Sequence, residues 1–162
     1  MKFSSSDIIL MAHSTVGVLG ILSAVWVFVE ALNAREQNSE RTRKAALVVT
    51  IFMVAAQILG GYWYIHFYPQ DRNLILDGPW PRAHLLFMET KEHLFFITLI
   101  LSLYLPIAAW DKLFANAAAR KMVLCVSLLI ALTGLTVEGS GALINHGAKL
   151  SLQRASAPGD KK

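Results

Sequence analysis

Residues 8–32 read IILMAHSTVGVLGILSAVWVFVEAL, and this stretch decides the fold. It carries no formal charge before Glu30, and it is longer than the roughly 20 apolar residues a helix needs to cross the hydrocarbon of a bilayer. A helix on the surface of a water-soluble core shows an apolar stripe and a polar face, whereas here the apolar residues run all round. Residues 45–68, 93–110 and 122–145 pass the same test. Backbone groups in hydrocarbon must find their partners within the segment, so each stretch is a helix. The chain has 162 residues, 55% hydrophobic and 16% charged, and no water-soluble domain is left once the four spans are taken out. The expected architecture is all-α: a four-helix transmembrane bundle of up-down topology over residues 1–150, then a disordered polar tail over 151–162.

The opening MKFSSSD has a single Lys2 and leads into an apolar run too long for a secretory leader, so the first span is expected to stay. One cysteine, Cys125, excludes an internal disulfide and a thiolate cluster. No Cys-x-x-Cys-His and no glycine-rich phosphate loop occurs. The net charge of +4 is placed at helix ends, where Lys and Arg anchor spans, so no nucleic-acid partner is expected. The two short loops hold Arg35, Arg41, Arg43, Lys44, Lys112, Arg120 and Lys121; the other side spreads Lys2, Arg72, Arg82, Lys91, Lys149, Arg154, Lys161 and Lys162 over tails and a long loop. Basic density near the spans therefore puts the short loops in the cytoplasm and both termini outside, with a bacterial inner membrane as the expected location. Tyr62, Trp63, Tyr64 and Tyr68 mark the outer belt, and Trp26 and Trp110 the inner one. Pro81, after the Asp77–Pro81 turn DGPWP, starts a helical cap that runs into the third span.

Counted inward from the outer ends, each span carries one histidine near a common level: His13, His66, His93 and His146, with His84 higher in the cap. An ionisable group within a span is costly and marks function by default. His13 lies furthest into its apolar run, and Gly17, Gly20 and Ala24 strip the same helix face below it. That bare face suits a flat macrocycle, and it equally suits close helix packing. Glu89, four residues before His93, can orient its imidazole. Glu138, two turns below His146, reads either as a neutral carboxyl bonded within the bundle or as a proton acceptor or quinone-headgroup partner. Glu30, Lys91 and Glu92 read as solvated end residues.

Two imidazoles on facing helices can ligate haem b with no further motif. On this topology, with His13 above Gly17 and Gly20 and one histidine in each other span, the chain resembles the four-helix membrane b-type cytochromes. The resemblance implies a membrane electron-transfer subunit that binds one haem b, with a second left open, and that exchanges electrons with quinol or a redox partner on the periplasmic side of a multisubunit complex. It implies an oxidoreductase component rather than a stand-alone enzyme, with larger redox subunits and the lipid bilayer as partners. Two alternatives stay open: copper, iron or zinc held directly by His13, His66, His93 and His146 with the glutamates, and a cofactor-free anchor or assembly subunit.

Overall fold

The computed structural model describes residues 4–156. Among them the chain is helical and contains no strand. The four long helices are α1 (Ser5–Leu32), α2 (Ser39–His66), α4 (Glu89–Ala109) and α5 (Ala117–Ser156); a short helix, α3 (Tyr68–Leu76), lies between α2 and α4. Four helical stretches are long and apolar enough to cross a membrane, and only 22% to 33% of each apolar window is buried within the chain. Most of that apolar surface therefore needs lipid around it, which makes this a membrane protein by length and composition.

The helix ends follow from local chemistry. Ser4 caps α1 in a reciprocal box: its Oγ accepts from the Asp7 amide at 3.2 Å, while Asp7 Oδ2 accepts from the Ser4 amide at 3.0 Å. Asn116 Oδ1 accepts from the amides of Ala118 and Ala119, both at 3.1 Å, and so opens α5. The tight connection from α1 to α2 is organised by Asn38, whose Oδ1 accepts from the Arg35 amide at 2.8 Å and whose Nδ2 donates to Glu30 Oε2 at 2.9 Å. Glu30 also takes the Trp26 indole N–H at 3.0 Å and the Arg41 guanidinium at 2.7 Å. Expected to be a solvated end residue, Glu30 is instead only 8% exposed and clips α1 to α2.

Helix α1 packs on α2 and α5, and α4 packs on the same two, which closes a ring in the order α1, α2, α4, α5. Pro106 sits inside α4. Without an N–H it leaves the carbonyl four residues earlier, that of Ser102, with no helical donor. Thr50 of α2 supplies one, its Oγ1 donating to Ser102 O at 2.6 Å. Within hydrocarbon such a freed carbonyl needs a partner from a neighbouring helix.

Two apolar clusters result. The larger gathers Ile21, Ala24 and Val27 of α1 with Val49, Met53, Leu105, Val126 and Ile130. The smaller lies at the other end, where Tyr68 and Ile75 of α3 meet Ala83, Met88, Ile144 and Ala148. Before Pro81 the sequence suggests only a loop, and the structure folds α3 there; from Pro81 the expected helical cap begins, with the Pro81 carbonyl accepting from the amides of His84 and Leu85 at 3.0 and 3.1 Å. A π-helical stretch, Ala83–Met88, follows and runs straight into α4. Tyr68, expected in the lipid-interface belt, is 1% exposed beneath this cap. Helix α5 continues to Ser156, with Ser151 buried and next to Gly78, so the polar tail expected from 151 is helical over its first six residues. Residues 157–162 of that expected tail lie outside the described ones.

Candidate functional site

Between the two apolar clusters lies a polar layer to which each long helix contributes one residue: His13 from α1, Gln57 from α2, Lys91 from α4 and Glu138 from α5. Glycines on neighbouring helices make room for three of them. A Cβ at Gly60 of α2 would stand 2.7 Å from the His13 ring, one at Gly17 of α1 would overlap the Glu138 carboxylate, and one at Gly141 of α5 would stand 3.1 Å from Lys91 Nζ. Small residues at helix contacts allow this close approach, and here they let a polar side chain lie across the backbone of its neighbour.

His13 is 8% exposed. Because Gly60 has no side chain, its ring reaches over α2 to the Ala56 carbonyl, with Nδ1 2.9 Å from that oxygen. A carbonyl only accepts, so Nδ1 carries the proton and donates, and a neutral ring then has its lone pair on Nε2. Nε2 is buried and has no hydrogen-bond partner among the described residues. A buried acceptor left without a donor costs about 1–3 kcal/mol, which is hard to reconcile with a side chain present only for packing.

The space around His13 has two lobes. A small one of about 30 Å³ is lined by His13, Gly17, Met53, Thr98, Gly134 and Glu138. The larger, about 360 Å³, lies between α2 and α4, with His13, Gln57, Gly60, Gly61, Lys91 and Phe95 among its walls. That volume is in the range of small-molecule sites. A Cβ at Gly61 would meet nothing within 4 Å, so the missing side chain there is part of the cavity. Phe96 and Tyr64, also in its wall, are 58% and 40% exposed on the bundle surface, so the cavity opens sideways toward lipid. Gln57 is fixed by donating its Nε2 to the Phe95 carbonyl at 3.0 Å. Lys91 lies within electrostatic reach of both His13 and Glu138, yet no ion pair joins them among the described residues.

The other histidines read as ligands stand elsewhere. His66 is exposed, stacked on Tyr62, its Nδ1 2.9 Å from the Tyr62 carbonyl. His93 is exposed, and it is the backbone carbonyl of Glu89, not the carboxylate, that lies 2.6 Å from its Nδ1. The Glu89 carboxylate belongs to a separate cavity near the cap. His146 is exposed and meets Trp80 edge-on. His84 is buried and bonds Tyr68 Oη and Arg72 Nε at 2.8 and 3.1 Å. Along α1, Gly17 is covered by Glu138 and Gly20 by Met53, whose Cε would stand 3.0 Å from a Cβ there; the bare face seen in the sequence is filled by side chains. No three His, Cys, Asp or Glu side chains gather as a metal site among the described residues. Of the four histidines read as ligands, His13 is the one that is buried, and it is the residue that could hold a haem iron here. Sequence reasoning missed Gln57 and took Lys91 for an end residue; the signal it passed over is a glycine opposite each buried polar group, Gly60 for His13 and Gly141 for Lys91.

Comparison with family models, with curated proteins and with solved structures gives no match.

Proposed function

We propose that this chain is a membrane subunit of an electron-transfer complex that binds the headgroup of a quinol in the cavity between α2 and α4. The observation that carries the reading is His13 Nε2, a buried acceptor with no donor among the described residues, on a ring held in one tautomer by the Ala56 carbonyl and belonging to a residue that lines a cavity open toward lipid. A hydroquinone offers what that atom lacks: an O–H donor on an apolar ring that arrives through the bilayer. His13 Nε2 accepts from one hydroxyl, and Lys91 supplies an ammonium donor for an oxygen of the oxidised form. In this reading the spans run up and down, both termini lie outside in a bacterial inner membrane, and larger redox subunits exchange the electrons. A second reading rests on the same atom: a histidine whose Nδ1–H is given to a carbonyl is prepared for metal ligation through Nε2, so His13 would hold a b-type haem, which would supply one-electron transfer.

Both readings are tested on the detergent-purified chain. Titration with a short-chain hydroquinone is expected to saturate at one site per chain, and His13→Leu and Gly61→Leu are each expected to weaken it by about tenfold or more. Gly61→Leu fills open space, so it blocks the cavity without a clash. Equal affinity in all three proteins would refute the quinol site. A reduced-minus-oxidised spectrum of the same sample, lost in His13→Leu, would establish the haem instead.

A further inference from the structure

The cavity that holds His13 has a neighbour. A second cavity of about 470 Å³ lies at the capped end of the bundle, lined by Tyr68, Arg72, His84 and Glu89 and also by Tyr64 and Glu92. Tyr64 and Glu92 line the His13 cavity as well. The two spaces therefore meet at this pair, and the pair is bonded across the gap between α2 and α4: Tyr64 Oη donates to Glu92 Oε1 at 2.7 Å. The second carboxylate oxygen of Glu92 has no bond among the described residues.

In the opposite direction the way is closed. The small lobe beside Glu138 has room for about one or two waters; beyond it stand Ile21 and Met53 and then the larger apolar cluster of Val27, Val49, Leu105, Val126 and Ile130. Toward the cap His13 meets a roomy, largely apolar cavity whose wall carries Tyr64, Lys91 and Glu92, and toward the other end it meets packed hydrocarbon side chains.

We propose that Glu92, oriented by Tyr64, is the outlet through which His13 exchanges protons with water at the capped end of the bundle. The transfer conserves charge at each stage. His13 Nε2 takes a proton and becomes imidazolium, water in the 360 Å³ cavity carries that proton to the free oxygen of Glu92, and the Glu92 carboxyl releases it to water in the outer cavity. Tyr64 keeps its own proton, donating throughout to the other oxygen. Charged and titratable groups surround the outlet on every side: Tyr64 from α2, Tyr68 and Arg72 from α3, His84 from the π-helical stretch, Glu89 and Lys91 from α4, with Glu138 across the bundle on α5. Lys91 lies beside the path. The source of the proton rests on the quinol reading, and the route does not. Joined, the two make ligand oxidation at this site release its protons at one membrane face only.

The test needs no ligand. Full-length protein with ring-¹⁵N histidine is placed in nanodiscs, and exchange between the neutral and protonated His13 ring is read from its ring lines across a pH series, the His13 lines being those lost in His13→Leu. Glu92→Gln keeps the size and an acceptor for Tyr64, so the fold is retained; it is expected to slow the exchange by about a hundredfold, the lower end of what a positioned acid–base group contributes. Glu92→Asp is expected to restore part of the rate, and Glu40→Gln, at the far end of α2, to leave it unchanged. An unaltered exchange rate in Glu92→Gln overturns the proposal. So does a Glu92→Gln protein that binds hydroquinone more weakly but exchanges at the wild-type rate, since Glu92 is then a ligand contact. Slowed exchange in a protein that binds no hydroquinone supports the outlet while removing the quinol site.

Discussion

Gly60→Ala would place a Cβ 2.7 Å from the His13 ring, a distance that forces the imidazole off the Ala56 carbonyl. The ring then loses the bond that fixes its tautomer. The expected cost is about 1–3 kcal/mol, typical of overpacking, seen as a lowered Tm in detergent together with ring ¹⁵N lines that report both tautomers. A Tm and a ring spectrum like those of the wild type would mean that the α2 backbone does not hold the imidazole. At this scale the sequence reveals depth and hides direction. His13 could be singled out because it is well inside an apolar run, and the structure does bury it. His66 and His93 sit near the helix ends where counting puts them, but exposed; His146, expected to close its helix, lies within α5, which runs on to Ser156, and is exposed too. Azimuth was illegible for a physical reason: lipid and the bundle interior are both apolar, so no hydrophobic periodicity distinguishes the faces of a span. Lys91 was hidden in the charged run ETKEH, which reads as a helix end until the rotation of α4 turns it toward Glu138.

For the elements, hydropathy suffices where burial in lipid sets the composition, and all four long helices were legible on that ground. Helix α3 was not, because nine residues beginning YPQDR have the composition of a loop and owe their helix to packing of Tyr68 and Ile75 under the cap. The strained point of α4 was equally silent: Pro106 is plain in the sequence, whereas the helix that compensates it is not. Thr50→Val removes the donor to the Ser102 carbonyl and keeps the side-chain volume. The expected loss lies between about 0.6 kcal/mol, the average for hydrogen bonds between membrane helices, and about 1.7 kcal/mol, their maximum, read as reduced resistance to a denaturing detergent. Thr50→Ser, which keeps the hydroxyl, is expected to recover most of it. A Val variant as resistant as the wild type would mean that water or another group serves the freed carbonyl.

Taken whole, the molecule is a lipid-embedded bundle with one end open to its own cap, and the cap is where pH acts on docking. Burial raises the Asp71 carboxyl above its ordinary value, and burial likewise raises the Tyr68 phenol, so it stays protonated. For Asp71 the sign follows directly: the neutral acid is the form the docked cap tolerates. Its contribution to docking is fully present below the ordinary carboxylate range and is lost as pH rises through the raised value. Amide hydrogen exchange over α3, corrected for the intrinsic pH dependence, is expected to show protection that falls with pH in the wild type and stays flat in Asp71→Asn. A flat wild-type profile would show that the carboxyl is hydrated in the docked state.

The π-helical stretch at Ala83–Met88 gives the cap a further property, that of a keyway. A π turn closes on i→i+5 instead of i→i+4 and so takes in one more residue than an α turn, while each residue of an α-helix advances the winding by about 100°. Deleting a single residue there would let the stretch relax to α-helix and would swing everything before it by roughly that angle relative to α4. His84 would leave Tyr68 and Arg72, and Ala83 would leave Gly147, although no residue of α4 had changed. The heading of the cap over the Tyr64–Glu92 pair is thus set by one surplus residue, and the chain can tolerate a length change in the connections on either side of α3 far better than in those six positions.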